Sequence, residues 1–203
     1  MSDARETILS RVRGALSPLK ERAAYPQYAD DVAVMHQVLD GRDPVAVFTE
    51  RIKLVNGLAL DSTAQLAAWL KEKNWTHGYC DPALWPELAP QFGPEFKVET
   101  TFDRARVDDY QFGITRAAGA IAETGAIILK DKSTSTRLGA LAPWVHVAVV
   151  RRSEVLASVA QATAAFGDDP NIIWCAGPSK TSDIEGILIE GVHGPGQQIA
   201  LVL

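Results

Sequence analysis

Hydrophobic and polar positions follow a helical period early in the chain and gather into short apolar runs in its second half. In MSDARETILSRVRGAL (1–16), Ala4, Ile8, Val12, Ala15 and Leu16 form one helical stripe. Asp3 with Glu6 makes a capping pair, and Ser17-Pro18 stops the helix. Residues 19–42 have no clean period and read as an arm packed over the domain, with a short helix ending at Asp40-Gly41. The predicted division is therefore an N-terminal helix and arm over 1–42 and an α/β domain over 43–203.

Asp43-Pro44 opens a second helix, with Val45, Phe48, Ile52 and Val55 on one side and Asn56-Gly57 as its stop. Ser62 with Gln65 is a capping box for a third helix, whose Leu66, Trp69 and Leu70 face inward. Apolar pieces at 57–60 and 76–80 read as strands flanking it. The four prolines of DPALWPELAPQFGPEF (81–96) permit only brief helical turns.

Five runs rich in Ile and Val follow: QFGIT (111–115), AIILK (126–130), WVHVAVV (144–150), NIIWCA (171–176) and QIALVL (198–203). Their near-continuous apolarity suits strands of a sheet covered on both faces. Ser153 is the expected cap of a helix with Val155, Val159, Ala162 and Phe166 on its buried stripe, ended by Gly167. The strand–helix–strand order from 144 to 176 then reads as a right-handed βαβ unit. The fold class is α/β, a largely parallel sheet with helices on both faces.

Charge narrows the partners. Residues 1–100 carry 11 bases and 14 acids, and residues 101–203 carry 9 and 11, so no basic stripe forms. Duplex nucleic acid would lack its counterion-release term and is not expected. No run reaches the ~18 apolar residues of a membrane span, and the charged first helix is no signal peptide. The expected location is the cytoplasm. Cys80 and Cys175 lie in separate apolar segments without Cys-x-x-Cys spacing, so this chain alone is expected to bind no metal or iron–sulfur cluster.

Three polar constellations interrupt the apolar runs. GPSKTSD (177–183) follows NIIWCA, at the strand end where α/β proteins bind ligands. Gly177 allows a sharp turn, while Ser179, Thr181 and Ser182 offer hydroxyls. A helical turn beginning near Thr181 would present amides to an anion. Lys180 is the only Lys or Arg after Arg152. Asp183 completes the cluster. The competing reading is equally simple: such residues cap helices and make turns.

GVHGP (191–195) forms a second turn. Gly194 allows close backbone approach there, and His193 could donate to an oxyanion or shuttle a proton; a plain surface histidine is the alternative. In GITRAAGAIAETGAIIL (113–129), Glu123 lies between small residues, as a base or nucleophile tuned by burial or as a turn cap. Arg116 and Arg137 are candidate anion partners. His146, between Val145 and Val147, reads as a satisfied core residue.

Taken in order, ITRAAGAIAETGAIIL, PWVHVAVV, AGPSKTSDIEGILIEGVHGP and the closing apolar strand resemble the lactate-utilisation (LUD) domain family, in its LutC/YkgG branch. The likeness covers 105–203. It implies a fold similar to that of glucosamine-phosphate deaminase, ribose-phosphate isomerase and CoA transferases. It also implies a part in oxidising L-lactate to pyruvate beside other lactate-utilisation proteins, whose subunits carry the iron–sulfur clusters.

Three readings follow. In the first, the chain is an accessory subunit of that system, binding an anionic small molecule at the strand-end turns. In the second, it is a stand-alone isomerase or acyl/CoA transferase using Glu123. In the third, it is a non-catalytic interaction module.

Overall fold

A computed structural model describes residues 2–18, 39, 41–130, 136–166, 171–182 and 187–203. The expected arm at 19–38 lies outside the described residues, as does Asp40. The chain divides into two compact units, Met1–Ala33 and Val34–Leu203. In the first, α1 spans Ser2–Leu16, and its stripe residues Ile8, Val12 and Leu16 are exposed. No described helix is long and apolar enough to cross a membrane.

The second unit is built on a six-stranded parallel sheet of order β1-β12-β7-β4-β2-β3. Its strands are β1 (Leu58–Leu60), β2 (His77–Cys80), β3 (Lys97–Glu99), β4 (Phe112–Arg116), β7 (Val145–Val150) and β12 (Gln197–Val202). β7 is buried at every residue and divides its side chains between two cores. Val145, Val147 and Val149 meet Leu66, Leu70, Leu84 and Leu88 on one face. Ala148 and Val150 meet Val47, Phe48 and Ile52 on the other. Burial on both faces explains why these strands read as continuous apolar runs, and each large aliphatic side chain contributes ~1.5–3 kcal/mol.

The flanking helices start where the caps predict. α2 (Pro44–Leu54) begins on Asp43, whose carboxylate accepts the Val45 and Ala46 amides at 3.4 and 3.3 Å. It ends at Asn56, left-handed at φ 63°. α3 (Thr63–Glu72) begins on Ser62, whose hydroxyl accepts the Gln65 amide. The proline-rich segment holds one short helix, α4 (Trp85–Leu88), and a 3-10 turn.

One expectation fails. AIILK and NIIWC do not join the parallel sheet. They belong to a second, four-stranded sheet of order β8-β5-β6-β9, with β5 at Gly119–Ile121, β6 at Ala126–Lys130, β8 at Val155–Leu156 and β9 at Ile172–Cys175. β6 and β9 pair antiparallel, so residues 144–176 are not a βαβ unit. Ser153 sits in a 3-10 turn instead of capping a helix, and Val155–Leu156 pairs with β5. α6 (Val159–Phe166) starts at Ser158, whose hydroxyl accepts the Gln161 amide. Gln161 reaches back to take the Ala157 amide at 2.8 Å. Two serines five residues apart competed for the cap, and the one followed by Gln at the third position won. The fold class stands: a mixed α/β unit around a six-stranded parallel sheet.

A polar row crosses the centre of that sheet. Thr115 on β4, His146 on β7 and Gln198 on β12 are all buried. Thr115 Oγ1 lies 2.9 Å from His146 Nε2, and His146 Nδ1 lies 3.1 Å from Gln198 Oε1. His146 is the satisfied core residue expected of it, and burial lowers its pKa from 6.5 to about 4. A lowered folded value stabilises the neutral form. Its contribution is present above the unfolded value near 6.5 and lost as pH falls towards 4, by about 3 kcal/mol. Urea denaturation at pH 7 and pH 4.5 should show this loss. A His146→Gln variant should show a smaller pH dependence; an unchanged one would contradict the assignment.

Candidate functional site

In a parallel sheet the strand dipoles and the following loops gather at the carboxyl edge, and ligands bind there. At that edge a cleft of about 460 Å³ opens between α2, the ends of β1 and β12, and the start of α3. This is an ordinary size for a small-molecule site. Val45, Ala59, Leu60 and Val202 supply apolar lining, and Asp43, Thr49, Glu50, Asp61, Gln65 and Arg152 supply the polar groups.

Two of the three carboxylates are already engaged. Asp43 caps α2 and lies 3.7 Å from the Arg152 guanidinium, while Glu50 accepts from Arg42 at 2.9 Å. Gln65 is oriented by its Oε1, which accepts the Asp61 amide at 3.4 Å. Arg152 is anchored by its backbone, whose N–H donates to Leu203 at 2.8 Å. Its side chain remains largely exposed.

Beside the cleft, the same edge carries a fastening of ion pairs. Arg116, at the end of β4, pairs with Glu154 and donates to the Val149 carbonyl at 3.2 Å. Arg151 grips Glu87 with both terminal nitrogens, at 2.7 and 2.5 Å, holding its carboxyl below the usual range. Arg116, a candidate anion partner by sequence, is thus part of this fastening.

The 177–183 cluster is not at the carboxyl end of a parallel strand, because β9 lies in the antiparallel part of the second sheet. No helical turn begins at Thr181. Lys180–Ser182 form β10, paired antiparallel with β11 (Leu188–Glu190). Lys180 is not a solitary cation either: its Nζ lies 3.4 Å from the Val55 carbonyl and 3.7 Å from Glu190. Asn56 also donates to Glu190, at 2.8 Å. Alternating side chains and a β-hairpin partner overrode the hydroxyl-rich capping signal. Asp183 lies outside the described residues.

The structure does bring the two glycine turns together. The Ser179 amide donates to the Pro195 carbonyl at 2.9 Å, and the Gly191 amide to the Ser179 carbonyl at 2.8 Å. Gly194 lies against Ser179, and His193 is exposed nearby in the chain. Gly177 has φ +81°, and a Cβ there would meet the Val55 carbonyl oxygen at 1.9 Å. Arg137 stands elsewhere in the chain, as the exposed first residue of α5 (Arg137–Leu141).

Glu123 occupies the turn between β5 and β6 and is 8% exposed. Its backbone N–H donates to Ala157, and its Oε2 accepts the Val159 amide at 2.9 Å. The carboxylate thus caps α6, where the helix dipole favours it. Its Oε1 is buried and without a hydrogen-bond partner. Gly125, two residues on, packs with φ +69° against the backbone of Arg51 and Ile52. The pairing of Ile127 with Cys175 puts Gly125 and Gly177 at one end of the second sheet, the first against the last turn of α2 and the second against Val55, which follows it.

Sequence reasoning missed the cleft residues Thr49, Glu50, Asp61 and Arg152. The available signal was position: Asp61 follows the last residue of β1, and Arg151-Arg152 follow β7. Among the described residues, no group of three or more His, Cys, Asp or Glu is placed to hold a metal ion. Both thiols are poor ligands, since burial pushes Cys80 up to about 12 and Cys175 to about 11.

A six-stranded parallel sheet with helices packed against it defines an α/β domain. The sequence profile of the LUD domain matches residues 49–203, and the chain belongs to that family. It is 34% identical over 110 residues to Lactate utilization protein C of Deinococcus radiodurans, covering 52% of each chain. It is 26% identical over 218 residues to the protein of that name from Geobacillus thermodenitrificans, covering 92% of this chain and 90% of the relative. With most such curated relatives, the chain spans about half the relative's length or less. A crystal structure of a DUF162 family protein from D. radiodurans shares the fold, with a TM-score of 0.57 at 24% identity over 78% of this chain and 95% of that one.

Gly177 gives a direct check on how the turns are held. Gly177→Ala combines a left-handed backbone with a collision against a carbonyl and should cost about 2 kcal/mol or more. Chemical denaturation measures it; near-parental stability would contradict the packing against α2.

Proposed function

We propose that the chain serves bacterial L-lactate utilisation as a component without redox centres, acting beside partner subunits that carry iron–sulfur clusters and oxidise lactate to pyruvate. Membership of the family and relatives named Lactate utilization protein C carry this reading. Two thiols, Cys80 buried and Cys175 half-buried, both pushed toward the protonated form, support assigning the clusters to other chains.

For its own part, the chain binds an anionic small molecule. The carboxyl-edge cleft offers room for it. Arg152 is the cation there, and its 3.7 Å contact with Asp43 is longer than the ~2.7–2.9 Å of a charge-assisted hydrogen bond. A guest carboxylate can therefore replace Asp43 at little cost. Asp61 and Gln65 stand ready for a hydroxyl, so a 2-hydroxy acid matches the cleft with one group for each side. Lys180 is the second candidate cation, with an equally long contact to Glu190.

Catalysis by Glu123 is a second reading, favoured by one observation: a buried carboxylate oxygen without a partner. Its other oxygen already serves as a helix cap, which weighs toward a structural role.

Two measurements test the main reading. Deleting the gene should abolish growth on L-lactate while sparing growth on pyruvate, and undiminished growth on lactate would remove the physiological role. In calorimetric titration with L-lactate, Arg152→Ala should weaken binding at least about tenfold and Lys180→Ala should leave it unchanged. The reverse pattern would move the guest to the hairpin turns.

A further inference from the structure

The polar side chains lining the carboxyl-edge cleft have fixed hydrogen-bonding roles, because their partners within the chain are already set. A backbone N–H can only donate, so the Asp61 amide turns Gln65 Oε1 toward itself, at 3.4 Å. Gln65 Nε2 is thereby left to the cleft as a donor. Thr49 spends its hydroxyl proton on the Val45 carbonyl at 2.8 Å, and its oxygen has only lone pairs left to offer. Arg152 carries donors alone. Of the three carboxylates on the lining, Asp43 caps α2 and Glu50 is paired with Arg42. Among the described residues, the third carboxylate, that of Asp61, has no hydrogen bond or ion pair.

Resting on the hydroxy-acid reading of this cleft, we infer that Asp61 is the residue that tells a 2-hydroxy acid from the corresponding 2-oxo acid. A carboxylate offers acceptors and no proton. The hydroxyl of lactate brings the proton that Asp61 lacks, and its oxygen still accepts from Gln65 Nε2. The keto oxygen of pyruvate also accepts from Gln65, so Gln65 serves both acids alike. Both acids present the same carboxylate to Arg152. Toward Asp61, however, the keto oxygen brings only lone pairs, and Thr49 has no proton to spare for it. The oxo acid thus sets acceptor against acceptor, and the difference between the two guests falls on the charged acceptor, Asp61.

A dry site built to bond a substrate hydroxyl rejects the analogue without it by ~10⁴–10⁵. Asp61 is exposed, so water replaces part of the missing bond and the preference is smaller, about tenfold. A chain with this preference takes up the reduced acid and lets the oxidised one go. That sets it on the supply side of the oxidation, where substrate is held and product is not.

Calorimetric titration of the full chain with L-lactate and with pyruvate is the test. The parent chain should bind lactate at least about tenfold tighter than pyruvate. Asp61→Asn keeps the backbone N–H that holds Gln65 and adds a donor for the keto oxygen, so it should bring the two affinities to within about twofold. Thermal unfolding verifies that this variant is folded, and the parent chain's own preference is read without it. Equal affinities in the parent chain, or tighter binding of pyruvate, overturn the proposal while leaving the cleft an acid-binding site. So does a folded Asp61→Asn chain that keeps the full preference. Heat from neither acid removes the hydroxy-acid reading of the cleft, and the proposal with it.

Discussion

The packing of α2 is the contact on which the rest of this unit depends. Its inner face, Val47, Phe48 and Ile52, closes one core of the parallel sheet. Its first turn, capped by Asp43, walls the cleft. Its last turn receives Gly125, and Val55 just after it receives Gly177, so closely that neither position has room for a Cβ. A single amphipathic helix thereby positions the central sheet, the second sheet and the base of the hairpin. Two backbone-to-helix contacts at sub-van der Waals range for any other residue explain why glycine, with its positive φ, stands at both turns.

This arrangement separates two kinds of chemistry. The carboxyl edge of the sheet collects ionic groups in pairs, Arg152 with Asp43, Arg116 with Glu154 and Arg151 with Glu87, around a cleft of small-molecule size. The hairpin instead offers aliphatic surface with one internal ion pair. Under the proposed reading, the first region meets a small hydroxy acid.

Much of the parallel sheet was legible in the sequence. Asp43-Pro44, Ser62 with Gln65, and Asn56-Gly57 mark helix limits through local hydrogen bonds, and these signals do not depend on distant residues. The apolar runs of β4, β7 and β12 were equally clear, because burial on both faces leaves few polar positions, and those, Thr115, His146 and Gln198, satisfy one another across the strands. The assignment of AIILK and NIIWC to that same sheet was wrong for a physical reason. An apolar run reports burial, not the partner it pairs with, and β6 finds full burial and β9 partial burial in a second sheet.

The site was less legible. Hydroxyls, a glycine and a lysine at 177–182 carry the same composition whether they cradle an anion or turn a hairpin, and only long-range pairing with 188–190 decides it. The cleft residues are scattered through the chain at 43, 49, 50, 61, 65 and 152, with no motif to join them. Amide chemical-shift mapping of the labelled protein with L-lactate tests the central claim most directly. The account predicts shifts concentrated at Thr49, Asp61, Gln65 and Arg152. Shifts confined to 177–195, or none at saturating lactate, would contradict it.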